Sequence, residues 1–229
     1  FILITLFISC SNEVVENNSI SFSEKNYDEA FQLIEYWLNA QKDYENLTGL
    51  TAMVGSEDGI IWSEAFGMAN EKDLMSVENT FSICSISKLF TSIAIMKLIE
   101  EKKIALNDPI NKLLPWFDLK QQFENSPPLT IKSILTHSSG LPRESNHPYW
   151  SWPDFLFPSK EDVVKELKNQ EMLYPSSKYY QYSNLGLSLL GYVVEEVSGE
   201  SFEDYIDKNI LEPLKMKDTK TYMSKEDYG

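Results

Sequence analysis

The sequence has few of the residues that hold metals or bind phosphate groups. Its 229 residues include two histidines and two cysteines, Cys10 and Cys84, with no cluster at the spacing of metal ligands. Lysine and arginine together number 20 against 35 acidic residues, which gives a net charge of −15. Such a charge repels a phosphate backbone and argues against nucleic acid as a partner. We therefore expect no metal, no cofactor and no nucleic-acid ligand.

The N-terminal apolar run, residues 1–10, is too short to span a bilayer, which takes about 20 residues. It ends in a small residue and Cys10 and then turns polar at Ser11, which predicts part of a secretory signal. Residues 7–10 resemble a bacterial lipobox, in which Cys10 is the lipidated residue. The alternative is a buried first strand. The lipobox interpretation predicts a lipid-anchored, monomeric protein of the bacterial cell envelope, facing the periplasm or outer membrane, with no disulfide.

The residues that follow predict a tether, a helix and a hairpin. Residues 11–26 are rich in Ser, Asn and Glu, which is typical of a solvated tether. Apolar residues recur at helical spacing over 27–47, and strands are predicted at 50–54 and 60–66 around the glycine-bounded turn 55–59. This pattern predicts a helix on one face of an antiparallel sheet. The apolar helix positions are Phe31, Ile34, Trp37, Leu38 and Tyr44.

Most of the remaining chain is predicted to be helical. Apolar residues over 85–101 are too frequent for a surface helix, which predicts burial on most sides. Further helices are predicted at 161–169 and 186–197, and 140–160 reads as a long irregular loop of the kind that is often functional. The aromatic residues of this loop either line a cleft or pack on the helices. They are Tyr149, Trp150, Trp152, Phe155 and Phe157.

The expected fold class is α/β (α+β), an antiparallel sheet flanked by helices with a helical subdomain. One domain is predicted over 27–229, with the helical subdomain at about 105–200.

The first chemical motif is Ser85-Ile-Ser-Lys88 at the predicted start of a helix. A spacing of three residues puts the Ser85 hydroxyl and the Lys88 amine on one helix face. The helix N-terminus offers N–H groups to an oxyanion and, together with burial, favours an uncharged Lys88 that can take the serine proton. The structural alternative is that Ser85 only caps the helix.

The second motif is Tyr182-Ser183-Asn184, about a hundred residues later and directly before a helix. A tyrosine near a neutral lysine can relay a proton, and an asparagine amide can bind a substrate carbonyl. Alone, the motif is explained as well by Ser183 or Asn184 capping the helix. Together, the two motifs indicate a nucleophilic serine site.

Five segments follow the order seen in the beta-lactamase-related serine hydrolases, a family that includes class C beta-lactamases, D-alanyl-D-alanine carboxypeptidases and family VIII esterases. The chain is identified as resembling this family over residues 50–222. The segments are 81–91, 106–109, 135–142, 182–186 and 210–219.

The resemblance implies a role for each matching residue. Ser85 is expected to be acylated, Lys88 to act as its base, Tyr182 to assist proton transfer and Asn184 to bind the substrate amide or ester. The Ser85 N–H is expected to supply half of the oxyanion hole. His137 is interpreted as a structural histidine in a turn near the site. Cys84 stands where the family usually has glycine and is expected to be a small core residue.

The family also carries a His/Lys-x-Gly motif downstream of the Tyr-x-Asn element, and the 229 residues contain no such strand. The sequence is therefore expected to be an N-terminal fragment. The expected substrate is a small molecule or a peptidoglycan peptide: a D-amino-acid peptide, a beta-lactam or an ester. The alternative is a non-catalytic envelope binding protein that retains the fold.

Overall fold

The computed structural model describes residues 27–147 and 158–222. The predicted signal and tether, including Cys10, and the predicted aromatic loop residues from Tyr149 to Phe157 lie outside the described residues. The chain divides into two compact units between Asn79 and Thr80.

The first unit contains one helix and a two-stranded hairpin. Helix α1 spans Asp28–Tyr44, and strands β1 (Gly49–Ser56) and β2 (Gly59–Gly67) pair antiparallel with a bulge at Val54/Gly55. Two acidic residues in the first turn of α1 and a lysine in its last turn complement the helix dipole. The helix and both strands are therefore found where the sequence predicts them.

Helix α1 packs on β2 through a narrow face. The Phe31 ring stacks on Trp62 at 5.5 Å between centroids, and the Trp62 indole N–H donates to Glu35 Oε1 at 3.1 Å. Trp37 and Tyr44, predicted on the apolar face, are exposed. A two-stranded hairpin is too narrow to cover the whole apolar stripe of a 17-residue helix.

The regular secondary structure of the second unit is helical over its described residues. Its first helix, α2, follows a 3₁₀ turn at Cys84–Ile86. The unit starts at Thr80, whereas the predicted helical subdomain begins at about 105, because α2 packs with the later helices. With the antiparallel hairpin, these helices confirm the predicted α/β (α+β) class. The helices are α2 (Ser87–Glu100), α3 (Ile110–Leu113), α4 (Ile131–Leu135), α5 (Lys160–Leu167), α6 (Asn184–Ser198) and α7 (Phe202–Ile206), and α7 continues into a π-helical turn at Asp207–Leu211.

Helix α6 lies at the centre of the second unit. It packs against α2, α3, α4 and α7, so it presents apolar side chains in several directions. Burying a leucine or valine side chain contributes roughly 1.5–3 kcal/mol, which makes α6 the main anchor of this core. The buried residues of α6 are Leu185, Gly186, Leu187, Leu189, Leu190, Val193 and Val194.

Helix α2 is fully buried along one face and partly buried beside it, with one exposed strip, so the predicted burial on most sides holds only in part. Ala94, Ile95 and Leu98 are fully buried, whereas Leu89 and Met96 are 58% and 49% exposed. Within the second unit, α6, α7 and the π-helical turn pack against α2 from one side. A high apolar count predicts that a helix is buried, but the number of neighbouring elements decides how much of it is covered.

The turn after α4 lies against a later loop at a glycine. Gly140 has φ +79°, and a Cβ there would overlap the carbonyl oxygen of Tyr174. The Leu173 N–H donates to the Gly140 carbonyl at 2.8 Å, and the Ser177 N–H donates to the Ser138 carbonyl at 2.7 Å. These bonds bring the segment before α6 alongside the turn after α4.

No helix among the described residues is both long and apolar enough to cross a membrane.

Candidate active site

Ser85 lies in the middle of the 3₁₀ turn that leads into α2. The residue before it, Cys84, has φ +46°, a conformation that strains a residue with a side chain by about 1–3 kcal/mol. Cys84 is exposed, with Sγ 3.7 Å from Ser82 Oγ. The expectation of a core cysteine was therefore wrong, because the left-handed backbone turns this side chain to the surface. The same turn presents Ser85 at the surface.

Lys88 lies one helical turn after Ser85, as the spacing predicts. Its Nζ donates to Ser85 Oγ at 3.3 Å. Lys88 is half-buried, whereas Ser85 is exposed, so the expected burial of the helix tip holds for the amine and not for the hydroxyl. An exposed hydroxyl beside a partly covered amine is open to a reacting carbonyl.

Tyr182 closes over this pair from a point 97 residues away in the sequence. Its hydroxyl donates to Ser85 Oγ at 2.9 Å, and Lys88 Nζ lies 5.0 Å from the centroid of its ring. The structure therefore brings together the three residues that the sequence assigned to catalysis. A hydroxyl with an amine and a phenol on it has two groups that can accept or return its proton.

His137 holds the residues on both sides of Tyr182. Its carbonyl accepts the Gln181 N–H at 2.6 Å, and its Nδ1 accepts the Ser183 N–H at 3.2 Å. Its ring lies 4.5 Å from the Tyr182 ring, centroid to centroid. His137 itself has φ +52°, so it sits in a tight turn, as the sequence predicts. Because Nδ1 accepts a hydrogen bond, the neutral ring carries its proton on Nε2.

Asn184 is the first residue of α6, and Ser183 is the cap. Ser183 Oγ accepts the Gly186 N–H at 2.9 Å and donates to the Pro142 carbonyl at 2.6 Å. The Asn184 side-chain amide donates to Glu144 Oε1 at 2.6 Å. The serine of the motif is therefore the helix cap, and the Asn184 side chain is held by Glu144.

Two titratable groups of the site are shifted from their ordinary values. Burial of the Tyr182 phenol opposes its ionisation, but hydrogen bonds with Lys88 and Ser85 and the charges of Lys88 and Arg143 outweigh this and lower its pKa below 10.0. Burial and the nearby charge of Lys88 lower the pKa of His137 below 6.5. At neutral pH His137 is therefore uncharged and the Tyr182 phenolate is more accessible than in a free tyrosine.

Arg143 and Glu144 are site residues that the sequence did not single out. Arg143 Cζ lies 5.0 Å from the centroid of the Tyr182 ring, and Glu144 binds the Asn184 amide. The sequence feature that could have identified them is their position directly after the segment 135–142, which resembles a family motif. Within the described ranges 27–147 and 158–222, no group of three or more His, Cys, Asp or Glu side chains is arranged to hold a metal ion.

Comparison with known proteins assigns the class. A family model described as Beta-lactamase matches residues 38–227, so the chain belongs to the beta-lactamase family, which at the family level comprises serine hydrolases. This confirms the resemblance drawn from the motifs.

Individual relatives agree. The chain is 28% identical over 228 residues to Beta-lactamase-like protein 2 of Dictyostelium discoideum, covering 96% of this chain and 41% of that protein. It is 32% identical over 151 residues to the D-alanyl-D-alanine-carboxypeptidase/endopeptidase AmpH of Escherichia coli, covering 66% of this chain and 39% of AmpH. The solved structure of EstCE1, a hydrolase with promiscuous acyltransferase activity, superposes with a TM-score of 0.72 at 26% identity, covering 88% and 56% of the two chains. The chain thus spans about two fifths of the length of these curated relatives.

Proposed function

We propose that the protein is a serine hydrolase that works through an acyl-enzyme on Ser85, with Lys88 and Tyr182 as catalytic residues and Asn184 as a substrate-binding residue. The observation that carries the proposal is the position of Ser85 Oγ, 3.3 Å from the Lys88 amine and 2.9 Å from the Tyr182 hydroxyl. Membership of the beta-lactamase family supports the same chemistry.

The acylation step follows from this arrangement. Lys88 Nζ, once it has released its own proton, accepts the Ser85 proton as Oγ attacks the substrate carbonyl, and a bond forms between Oγ and the carbonyl carbon. The Ser85 N–H at the start of α2 stabilises the oxyanion. The scissile C–N or C–O bond then breaks, Tyr182 gives its hydroxyl proton to the leaving group, and the proton on Lys88 restores the phenol. Water then attacks the acyl carbon in place of the leaving group and gives a proton to Lys88. The bond to Ser85 Oγ breaks, a proton returns to Oγ, and the carboxylic acid leaves.

The proposed substrate is a D-amino-acid peptide, a beta-lactam or an ester. Similarity to a protein named as a D-alanyl-D-alanine carboxypeptidase supports the first, and similarity to EstCE1, titled a hydrolase with promiscuous acyltransferase activity, supports acyl transfer in general. The Asn184 amide, two residues after Tyr182, would bind the carbonyl or amide that such substrates share.

Covalent labelling tests the proposal. The full-length protein is incubated with a fluorescent penicillin and, separately, with a fluorophosphonate probe. We expect a labelled band that disappears in Ser85→Ala and persists in the matched control Ser87→Ala, one residue from the end of the same turn. Equal labelling of the protein and Ser85→Ala would refute the acyl-enzyme. Saturable binding of a muropeptide with no covalent label would favour the alternative of a non-catalytic binding protein.

The proposed location is the bacterial cell envelope, with Cys10 as the lipidated residue and the protein as a monomer. Support comes from the apolar run 1–10 that ends at this cysteine. Metabolic labelling of cells with an alkyne fatty acid tests it. We expect label in the membrane fraction that Cys10→Ser abolishes and Cys84→Ser retains, and a label unchanged in Cys10→Ser would contradict it.

A further inference from the structure

Arg143 is the one arginine among the 20 basic residues of the sequence, and it stands beside the proposed site. Its guanidinium carbon lies 5.0 Å from the centroid of the Tyr182 ring. A planar guanidinium stacks on an aromatic face more effectively than a lysine amine does, because it is delocalised and more weakly hydrated. An arginine at position 143 therefore stacks on the Tyr182 ring in a way that a lysine does not.

Glu144 holds both Arg143 and Asn184 with one carboxylate oxygen. Oε1 of Glu144 lies 3.3 Å from Arg143 Nε and accepts the Asn184 side-chain amide at 2.6 Å. A carboxylate oxygen without a proton can only accept, so the Asn184 atom that faces Glu144 is its NH₂ group. The Asn184 carbonyl oxygen is thereby turned away from Glu144.

The backbone of the Arg143–Glu144 segment is fixed on two sides. The Arg143 carbonyl accepts the N–H groups of Asn184 and Leu185, at 2.8 and 3.2 Å. The Glu144 carbonyl accepts a hydrogen bond from the side-chain amide of Gln170, which is 6% exposed, at 2.9 Å. A segment anchored in this way loses little entropy when its side chains take up one arrangement.

Tyr182 therefore lies between cations from two segments. Lys88 reaches its ring from α2 and Arg143 from the loop after α4, each 5.0 Å from the ring centroid. His137, whose ring packs on Tyr182, is the further titratable group against it among the described residues, while Glu144 faces Arg143. A phenolate spreads its charge into the ring, so a cation over the ring stabilises the ionised form.

We propose that Arg143 and Glu144 are a pair of positioning residues for the proposed acyl transfer, in which Arg143 stabilises the ionised form of Tyr182 and Glu144 fixes both Arg143 and the Asn184 amide. The expected effect of these two residues on the acylation rate rests on the proposed function. Their effect on the ionisation of Tyr182 is measurable without catalysis.

The first test follows the ionisation of Tyr182. Protein labelled with ¹³C at the tyrosine Cζ is titrated by NMR, and the Tyr182 resonance is assigned by its loss in Tyr182→Phe. We expect Arg143→Met to raise the pKa of Tyr182, but by less than the loss of Lys88 would, because the Arg143 side chain is 62% exposed. Arg143→Lys keeps the charge but not the planar guanidinium, and is therefore expected to retain only part of the effect of Arg143. Lys208→Met removes a cation of similar exposure, 65%, that pairs with Glu200, and should leave the titration unchanged.

The second test follows the rate. The rate of labelling by the fluorescent penicillin is measured against pH and probe concentration. We expect labelling to slow in Arg143→Met, because Tyr182 gives a proton to the leaving group in the proposed step and a higher pKa makes it a weaker proton donor. Glu144→Ala is expected to raise the probe concentration for half-maximal rate about tenfold through loss of the Asn184 bond, and Glu144→Gln, whose carbonyl can still accept, about threefold at most.

The outcomes separate the two proposals. An unchanged Tyr182 titration in Arg143→Met overturns the role of Arg143, even where Ser85 is labelled normally. Equal half-maximal concentrations for Glu144→Ala and the unmodified protein overturn the role of Glu144. Labelling that survives Ser85→Ala overturns the proposed function instead, and the NMR titration then still decides whether Arg143 sets the ionisation of Tyr182.

Discussion

At the scale of single residues, His137 links the geometry of the site to pH. Its Nδ1 accepts the Ser183 N–H only while it is unprotonated, and its ring packs on Tyr182. Burial, and then the charge of Lys88, lower its pKa, so the folded protein binds this proton less tightly than the unfolded chain. The contribution to stability is therefore complete above the ordinary value of 6.5 and is lost as the pH falls through and below it.

We predict that His137→Asn keeps most of the acylation rate at neutral pH and loses less of it than the unmodified protein on acidification. Asparagine tolerates the positive φ of this turn, and its carbonyl can accept the Ser183 N–H without titrating. His137→Ala, which removes both the acceptor and the ring, should lower the rate at every pH. Labelling rates between pH 5 and 8 decide this, and a rate in His137→Ala equal to that of the unmodified protein would contradict it.

The residue types of the site were readable in the sequence, and their surroundings were not. Ser85, Lys88, Tyr182 and Asn184 followed from two motifs, and the fold brings the first three into contact. The exposure of Cys84 was missed, because its positive φ is a property of the turn and not of a cysteine. Arg143 and Glu144 were missed because they reach the site only when the start of α6 is docked against them, and no motif in the sequence indicates that docking.

At the scale of elements, the start of α6 combines a helix cap with the placement of two proposed site residues. Ser183 is 1% exposed, caps α6 through its hydroxyl and is flanked by Tyr182 and Asn184. Loss of the cap should therefore affect stability and acylation together. Ser201 caps α7 in the same way, through a hydrogen bond from the Asp204 N–H at 3.1 Å, and none of the proposed site residues belongs to this helix start.

We predict that Ser183→Ala lowers the free energy of unfolding by about 1–2 kcal/mol and also slows acylation of Ser85. Ser201→Ala should cost about 1 kcal/mol and leave acylation unchanged, because its helix start positions no proposed catalytic group. Urea denaturation and the labelling rate are measured on the same preparations. Equal labelling rates in the two variants would show that the α6 cap does not position the site.

Local sequence patterns predicted the presence of helices and strands better than they predicted how deeply each one is buried. Helices α1, α5 and α6 and the hairpin lie within a few residues of their predicted bounds, because apolar spacing and caps are local properties. The coverage of α2 was overestimated, and α7 was not predicted. Both depend on which neighbours pack where, and that information is spread over the whole second unit.

At the scale of the whole molecule, the second unit is stabilised by one apolar core centred on α6. Leu190 is fully buried in it, whereas Leu89 on α2 is 58% exposed. The site residues lie on the ends of α2 and α6 and in the loops between helices, so their geometry depends on this core.

We predict that Leu190→Ala lowers the free energy of unfolding by about 2–5 kcal/mol, through the lost transfer free energy and the cavity left behind. Leu89→Ala, which removes the same atoms from a surface position, should cost about 0.5 kcal/mol or less. Urea denaturation of both variants measures the difference. A comparable loss in the two would mean that Leu89 is covered in the full-length protein.

The family, the α/β (α+β) class and the four residue types of the proposed site follow from patterns along the chain, because motif order, apolar period and helix caps are local. The contact of Tyr182 with Ser85 across 97 residues, and the approach of Arg143 to the Tyr182 ring, arise only when the chain is folded. Contacts of this kind form when α6 docks against α2 and the loop after α4. They depend on the packing of distant segments, which no single stretch of sequence encodes.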